Sequence, residues 1–138
     1  MTDILSSGSL ETLIEQARQA AEKSYSPYSH FRVGAALQLD NGAIVTGANV
    51  ENVSYGLTIC AEAAAVARAV ADFGPAIRIR AVAVTNLNDA PSPPCGACRQ
   101  ILSEFISPDA PVTFPAAEGM CTLPFRELLP LAFHMKAT

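Results

Sequence analysis

The segment Phe31–Asn49 reads FRVGAALQLDNGAIVTGAN and predicts two β-strands joined by a tight turn. The runs 31–39 and 43–49 are rich in apolar and β-branched residues, which favour strands. Between them stands Asp40-Asn41-Gly42, and Asn-Gly is a strong signal for a short hairpin turn. We therefore expect an antiparallel pair of strands at this point in the chain.

Helices and further strands are expected on both sides of the hairpin. A first helix, capped by Ser9, is indicated by apolar residues that recur at helical spacing from Leu10 to Ala21. The other expected helices cover 60–70, 95–106 and 125–134, and the other expected strands cover 77–85, 111–116 and 120–123. This order, α-β-β-α-β-α-β-β-α, describes a sheet with helices on its faces.

Composition bounds the class of protein. The chain has 138 residues, 50% of them hydrophobic and 16% charged, and no linker divides it, so we expect a single domain over residues 1–138. Nine basic and thirteen acidic residues give a net charge of −4, which argues against nucleic acid polymers and anionic membranes as partners.

No apolar run reaches the roughly 18 residues of a membrane span, and the N-terminus does not resemble a signal peptide. We therefore expect a cytoplasmic protein whose four cysteines are reduced.

Three of the cysteines and one glutamate form a pattern that suits a catalytic metal. Cys60 stands two residues before Glu62, and Cys95 and Cys98 stand three apart, both groups at predicted helix starts. Residues at i and i+3 share a helix face, so Cys95 and Cys98 can bind one ion while Cys60 supplies a third thiolate. Three protein ligands leave one zinc position open, as in catalytic sites. Glu62, a carboxylate in an apolar helix start, needs a polar partner, and a zinc-bound water is a suitable one.

Two other interpretations of the cysteines stay open at this point. Cys121 could close a four-cysteine structural zinc site, although its apolar neighbours favour an ordinary buried thiol. A redox dithiol formed by Cys95 and Cys98 fits the C-x-x-C spacing but leaves Cys60 and Glu62 unexplained.

Six motifs resemble those of the small homotetrameric, zinc-dependent cytidine deaminases of the three-cysteine type. In order, the motifs are Tyr25-Ser26-Pro27-Tyr28-Ser29, Phe31-x-Val33-Gly34-Ala35-Ala36, Thr46-Gly47-x-Asn49-Val50-Glu51-Asn52, Ser54-Tyr55-Gly56-Leu57-Thr58-Ile59-Cys60-Ala61-Glu62, Pro94-Cys95-Gly96-Ala97-Cys98-Arg99-Gln100 and Glu127-Leu128-Leu129-Pro130-x-Ala132-Phe133. The resemblance runs from about Leu10 to Phe133, and zinc deaminases as a class carry a Glu and a Pro-Cys-x-x-Cys motif of this kind.

The resemblance implies a fold and an activity. The fold would be a three-layer α/β/α sandwich with a mixed sheet of about five strands. The reaction would be the zinc-dependent hydrolysis of cytidine and 2′-deoxycytidine to uridine and 2′-deoxyuridine with release of ammonia, as in pyrimidine salvage. The partner would be a small nucleoside, and the assembly a homotetramer.

The resemblance also implies roles for individual residues. Cys60, Cys95 and Cys98 would hold the zinc, and Glu62 would carry protons between the attacking water, N3 of cytosine and the leaving amino group. The substrate-binding residues would be Asn49 and Glu51 at the ribose, the backbone of Ala61 at the base, Phe31 packed against the nucleoside, and Phe133 contributed from a neighbouring subunit.

One departure from the family pattern concerns the charge at the metal. Relatives commonly carry arginine after the glutamate, where this chain has Ala63. We expect the helix N-termini and Arg99 to compensate for the missing cation. Because Ala63 is small, the pocket could instead accept N4-substituted cytidines or blasticidin-type aminonucleosides, which is the alternative substrate class.

Overall fold

The computed structural model describes residues 7–135, which fold into one five-stranded sheet flanked by helices. The helices are α1 (Ser7–Ala21), α2 (Ala61–Phe73), α3 (Gly96–Ser103) and α4 (Phe125–Leu128), with a short 3₁₀ turn at Tyr55–Leu57. The strands are β1 (Val33–Leu39), β2 (Ile44–Ala48), β3 (Ile79–Asn86), β4 (Pro111–Ala116) and β5 (Gly119–Pro124).

The sheet is mixed, with the strand order β2-β1-β3-β4-β5. The predicted hairpin is confirmed: β1 and β2 pair antiparallel, and Gly42 takes a positive φ of 92° in the turn. The strands β3 and β4 are parallel, and α3 lies between them in sequence, as parallel neighbours require a crossover connection. The mixed five-stranded sheet expected from the sequence is confirmed.

Helices cover both faces of the sheet, which makes three layers. On one face, Leu13 and Ala17 of α1 pack against alternate small residues of β1 and β3, namely Ala36, Ala81 and Ala83. On the opposite face, α2 and α3 pack on the intervening residues, such as Leu37 and Val82, to form the larger core. Alternation along the strands therefore separates the two cores, and the predicted three-layer sandwich is confirmed.

Two glycines let helices approach the sheet with main chain against main chain. A Cβ on Gly34 of β1 would lie 2.0 Å from the carbonyl oxygen of Ala17 in α1. A Cβ on Gly47 of β2 would lie 2.5 Å from the main-chain nitrogen of Ala65 and 2.7 Å from the carbonyl oxygen of Ala61, both in α2. No side chain fits at either position, so these contacts set the distance between each helix and the sheet.

Three predicted element boundaries were wrong. The first helix begins at Ser7, so Ser9 lies inside its first turn and does not cap it. The third helix ends at Ser103, because Ile106 leaves the helix to form a bridge with Ile79 of β3. The last helix covers only 125–128, since Pro130 disfavours helical dihedrals at Leu129, whose φ and ψ are −147° and 70°.

Within 7–135, no helix combines the length and apolar character needed to span a membrane.

Candidate active site

The three cysteines of the predicted metal site meet where the N-termini of two helices converge. Cys60 is the N-cap residue of α2, and Cys95 is the N-cap residue of α3. Cys98 lies in the first turn of α3, and its main-chain N–H points to the Cys95 sulfur at 3.4 Å. The partial positive charge at both helix ends favours negatively charged groups at this point.

The sulfur atoms are close enough to share one ion. All three Sγ atoms lie within 4.8 Å of one another, and the Sγ atoms of Cys60 and Cys95 are 3.9 Å apart. In the described part of the chain this is the group of cysteine, histidine and acidic side chains that could hold a metal, and it does not include Cys121. Cys121 lies in β5 and packs against the larger core.

The protonation of the thiols shows that this donor set suits a cation. A hydrogen bond from Cys98 lowers the pKa of Cys60 to about 6. The same hydrogen bond raises the pKa of Cys98, and burial raises it further. A thiolate thus forms readily at Cys60, and a thiolate is the form in which cysteine binds zinc, so the cluster suits a zinc site with three cysteine ligands.

Glu62 lies beside the cysteines with its carboxyl group almost completely buried. It stands in the first turn of α2, and its residue is 5% exposed. Burial is the main cause of its raised pKa, and the charge of Cys60 adds to the effect. A raised pKa makes a carboxylate a stronger proton acceptor than an exposed one, as suits a general acid–base group.

A pocket of about 220 Å³ opens beside Glu62 and Cys60. Six predicted site residues line it: Phe31, Asn49, Cys60, Ala61, Glu62 and Cys95. Five further lining residues were not predicted as binding residues: Val33, Thr58, Val84, Ser92 and Pro93. Val33 and Thr58 stand inside quoted motifs and Pro93 adjoins one, so their position in the sequence could have suggested them, whereas Val84 resembles any other buried strand residue.

The side-chain amide of Asn49 is mostly occupied by the protein itself. Its Oδ1 accepts hydrogen bonds from the Ser24 hydroxyl at 2.5 Å and the main-chain N–H of Val33 at 2.9 Å. Its Nδ2 donates to the Phe31 carbonyl at 2.8 Å. The group left for a ligand is the second Nδ2 hydrogen, so Asn49 can act towards a ligand as a hydrogen-bond donor.

Glu51 is buried at the end of the segment after β2, and its carboxylate is also largely satisfied. Oε1 accepts from the main-chain N–H groups of Tyr28 at 3.0 Å and Ser29 at 3.2 Å, and Oε2 accepts from the Ser29 hydroxyl. The Ser29 hydroxyl is the largest cause of the lowered pKa of Glu51, so the group is ionised at neutral pH. One acceptor position remains on Oε2.

Comparison with known proteins identifies the family. The sequence profile of the "Cytidine and deoxycytidylate deaminase zinc-binding region" matches residues 7–113. The cytidine deaminase of Halalkalibacterium halodurans is 44% identical over 124 residues, which cover 89% of this chain and 92% of the relative. The chain belongs to the cytidine deaminase family. This finding confirms the family and the zinc dependence that the sequence predicted.

Solved structures agree with the assignment to the cytidine deaminase family. The crystal structure of the cytidine deaminase from Burkholderia pseudomallei superposes with a TM-score of 0.80 at 42% sequence identity, over 89% of this chain and 98% of that one. A more distant relative, the blasticidin-S deaminase of Bacillus cereus, is 29% identical over 127 residues, which cover 88% of this chain and 89% of that one. The similarity is therefore stronger to cytidine deaminases than to the blasticidin-type enzyme.

Phe133 lies apart from the pocket of its own chain. It is 69% exposed and does not line the cavity, while its carbonyl accepts a hydrogen bond from Gln100 of α3 at 3.0 Å. The hydrogen bond holds the main chain of Phe133 at the surface of this chain and leaves its side chain exposed, so that the side chain is available to a second cytidine deaminase subunit. Its assignment to a neighbouring pocket stays a prediction.

Two residues, Ala63 and Arg99, concern the arginine of the cytidine deaminase pattern that this chain lacks after Glu62. Ala63 is half-buried in α2. The Arg99 guanidinium donates to the carbonyl oxygens of Pro94 at 2.8 Å and Leu128 at 2.9 Å. Arg99 thus contacts the main chain that precedes Cys95, and its proposed effect on the thiolate charge stays a prediction.

Replacing Glu51 by glutamine is expected to destabilise the fold at neutral pH and less so in acid. The folded-state pKa of Glu51 lies below its ordinary value of 4.5, so its stabilisation is present above the unfolded value and is lost as the pH falls through the folded value. Urea unfolding of wild type and Glu51→Gln across this pH range measures the difference. The exposed Glu118→Gln is the control, and a Glu51→Gln deficit that is equal at every pH would contradict the assignment.

Proposed function

We propose that the protein converts cytidine and 2′-deoxycytidine, with water, into uridine or 2′-deoxyuridine and ammonia. The observation that carries this proposal is the buried Glu62 carboxyl group in the same pocket as Cys60 and Cys95, two members of the cluster of three thiols. Family membership supports it, since the relatives described above are cytidine deaminases.

Cys60, Cys95 and Cys98 are the proposed zinc ligands. Bound zinc would lower the pKa of a water molecule in its open position towards about 7. Glu62 accepts a proton from the attacking water, delivers it to N3 of cytosine and then carries a proton to the leaving amino group. Its burial excludes bulk water from these transfers, and its raised pKa suits both directions.

The nucleoside site is formed by further residues that line the pocket, together with Glu51, which lies outside that lining. The half-buried Phe31 and the apolar wall of Val33 and Val84 pack against the base, and the main chain of Ala61 lies beside it. At the sugar, Asn49 donates its second Nδ2 hydrogen and Glu51 offers one acceptor position on Oε2. An ionised Glu51 beside the sugar also repels a phosphate, which favours nucleosides over nucleotides and nucleic acid polymers.

The experiment that tests this function compares substrates on the zinc-loaded protein. Ammonia release should occur from cytidine and 2′-deoxycytidine, and kcat/KM should be much lower for CMP and for blasticidin S. A kcat/KM for blasticidin S that exceeds that for cytidine would favour the alternative substrate class. The absence of ammonia release from every nucleoside would overturn the proposal.

We extend the proposal to a homotetramer, supported by an exposed apolar surface next to the pocket. This surface contains Val50, Val53, Tyr55, Leu57 and Ile59, which are 44%, 80%, 62%, 67% and 47% exposed. Thr58 of the same segment lines the pocket, so a neighbouring subunit seated there would also border the site. Exposed apolar surface of this kind is typical of protein interfaces. Sedimentation equilibrium that returned the mass of one chain would contradict the assembly.

The proposed setting is pyrimidine salvage in the cytoplasm, by one domain that extends over residues 1–138. Three cysteine ligands must stay reduced, which the cytoplasm favours. A pyrimidine auxotroph without its own cytidine deaminase should grow on cytidine when it expresses this chain. Failure of the active enzyme to support growth would contradict the cytoplasmic role.

A further inference from the structure

The side chain of Arg99 joins the loop before Cys95 to the end of α4. Its Nε donates to the Pro94 carbonyl at 2.8 Å, and its Nη1 donates to the Leu128 carbonyl at 2.9 Å. Leu128 is the last residue of α4, where carbonyl groups lack partners within the helix. One guanidinium therefore satisfies acceptors from two separate parts of the chain.

The loop that carries Cys95 is anchored by the fully buried side chain of Pro94 and by the Ser92 hydroxyl, which accepts from Asn86 Nδ2 at 2.9 Å, but it has few main-chain hydrogen bonds. Residues 91–95 lie outside helices and strands, and Pro93 and Pro94 have no N–H to donate. The main-chain N–H of Ser92 bonds the Pro115 carbonyl at 2.9 Å at the start of this stretch. At its end, the carbonyls of Pro94 and Cys95 are both bound by Arg99, through Nε and through its main-chain N–H at 3.0 Å.

These contacts affect the position of the Cys95 sulfur. Cys95 is an exposed residue, whereas Cys98 is buried and held by the core around α3. Because Cys95 precedes the first helical turn, the position of its Sγ depends on the main chain at 94 and 95 as well as on the hydrogen bond from the Cys98 main-chain N–H at 3.4 Å. We propose that Arg99 is a positioning residue that holds Cys95 in the geometry needed to bind zinc, a role that rests on the proposed zinc site.

We call the positioning role of Arg99 a brace, because its hydrogen bonds hold the main chain around Cys95. A brace and a compensating charge require different properties of residue 99. A compensating charge needs only a cation, which lysine also provides. A brace needs two N–H donors in fixed directions, one for Pro94 and one for Leu128, and the planar guanidinium supplies them while an ammonium acts as a point charge. The conservative substitution Arg99→Lys therefore separates the two roles.

The test measures zinc release to a chromophoric chelator from zinc-loaded wild type, Arg99→Lys and Arg99→Gln. We expect release to be about 10- to 100-fold faster in both variants, the usual cost of losing a residue that supports a metal ligand. Arg68→Lys is the matched control, because Arg68 is exposed and pairs with Asp72 on the surface of α2. Thermal unfolding of the zinc-free proteins shows whether each variant still folds.

Each outcome bears on the proposal. Fast release from both Arg99 variants, with zinc-free stability near that of wild type, supports the brace. Normal release from Arg99→Lys with fast release from Arg99→Gln would show a charge effect and overturn the brace. Variants that lose only zinc-free stability and release zinc normally would also overturn it. Wild-type protein that binds no zinc would overturn the proposed function along with it.

Discussion

Glu62→Gln is expected to lower kcat for cytidine by about 10²- to 10⁴-fold, the range that general acid–base catalysis contributes. Glutamine has nearly the shape of glutamate but neither accepts nor donates a proton in the way the reaction needs. Glu62 is proposed as a proton carrier and not as a ligand, so the zinc content should be unchanged. Ammonia release and metal analysis on the same preparation measure both quantities.

The control for this substitution is Glu118→Gln, which removes an exposed carboxylate from the turn between β4 and β5. Its activity should equal that of wild type. A Glu62→Gln enzyme that kept wild-type activity would remove Glu62 from the mechanism. One that lost its zinc would show that the carboxylate supports the metal site and does not only move protons.

Cys98→Ser is expected to abolish both zinc retention and activity. Cys98 is 1% exposed and its sulfur lies within 4.8 Å of those of Cys60 and Cys95, and the hydrogen bond to Cys60, together with burial, raises the pKa of its thiol. A serine hydroxyl is a far poorer zinc ligand than a thiolate. Metal content after dialysis, together with ammonia release, checks the prediction.

Cys121→Ser is the matched control for the zinc ligand. Cys121 lies in β5, opposite Phe114 of β4, and is outside the sulfur cluster. The variant should keep its zinc and its activity, with a modest loss of stability from the polar hydroxyl at a partly buried position. Equal loss of zinc from both variants would indicate a closed four-cysteine site, and a role in catalysis would then be untenable.

Local sequence signals predicted much of this fold. Asn41-Gly42 predicted the β1–β2 hairpin, the spacing of apolar residues indicated α1, and every predicted helix starts within a few residues of the observed one. The order of the strands was not predictable in this way, because the parallel pairing of β3 with β4 joins residues some thirty positions apart, such as Val82 and Val112. The short α4 was predictable from Pro130, whose effect on Leu129 is a local one.

The site was predictable to the level of residue types but not of their contacts. The motifs named the three cysteines and Glu62, and the structure brings the cysteines within reach of one ion. They did not show that Ser24, Val33 and Phe31 already occupy the amide of Asn49. Nor did they show that Arg99 bonds carbonyl groups, since Leu128 lies 29 residues away. Partners far apart in sequence are fixed only by the packing of the whole chain.

The contact between Gly47 and α2 fixes the distance between the two sides of the pocket on which Asn49 and Glu62 lie. Asn49 follows Gly47 by two residues, and Glu62 follows Ala61, whose carbonyl oxygen would lie 2.7 Å from a Cβ on Gly47. The span from Glu62, the proposed proton carrier, to the amide of Asn49, proposed to bind the sugar, is thus set by peptide groups, whose dimensions are the same in every protein. Mutation can exchange side chains but cannot resize peptide groups. Adaptation to a longer or shorter substrate in this fold therefore falls to the loops at the rim, where Phe31, Thr58 and Ser92 stand.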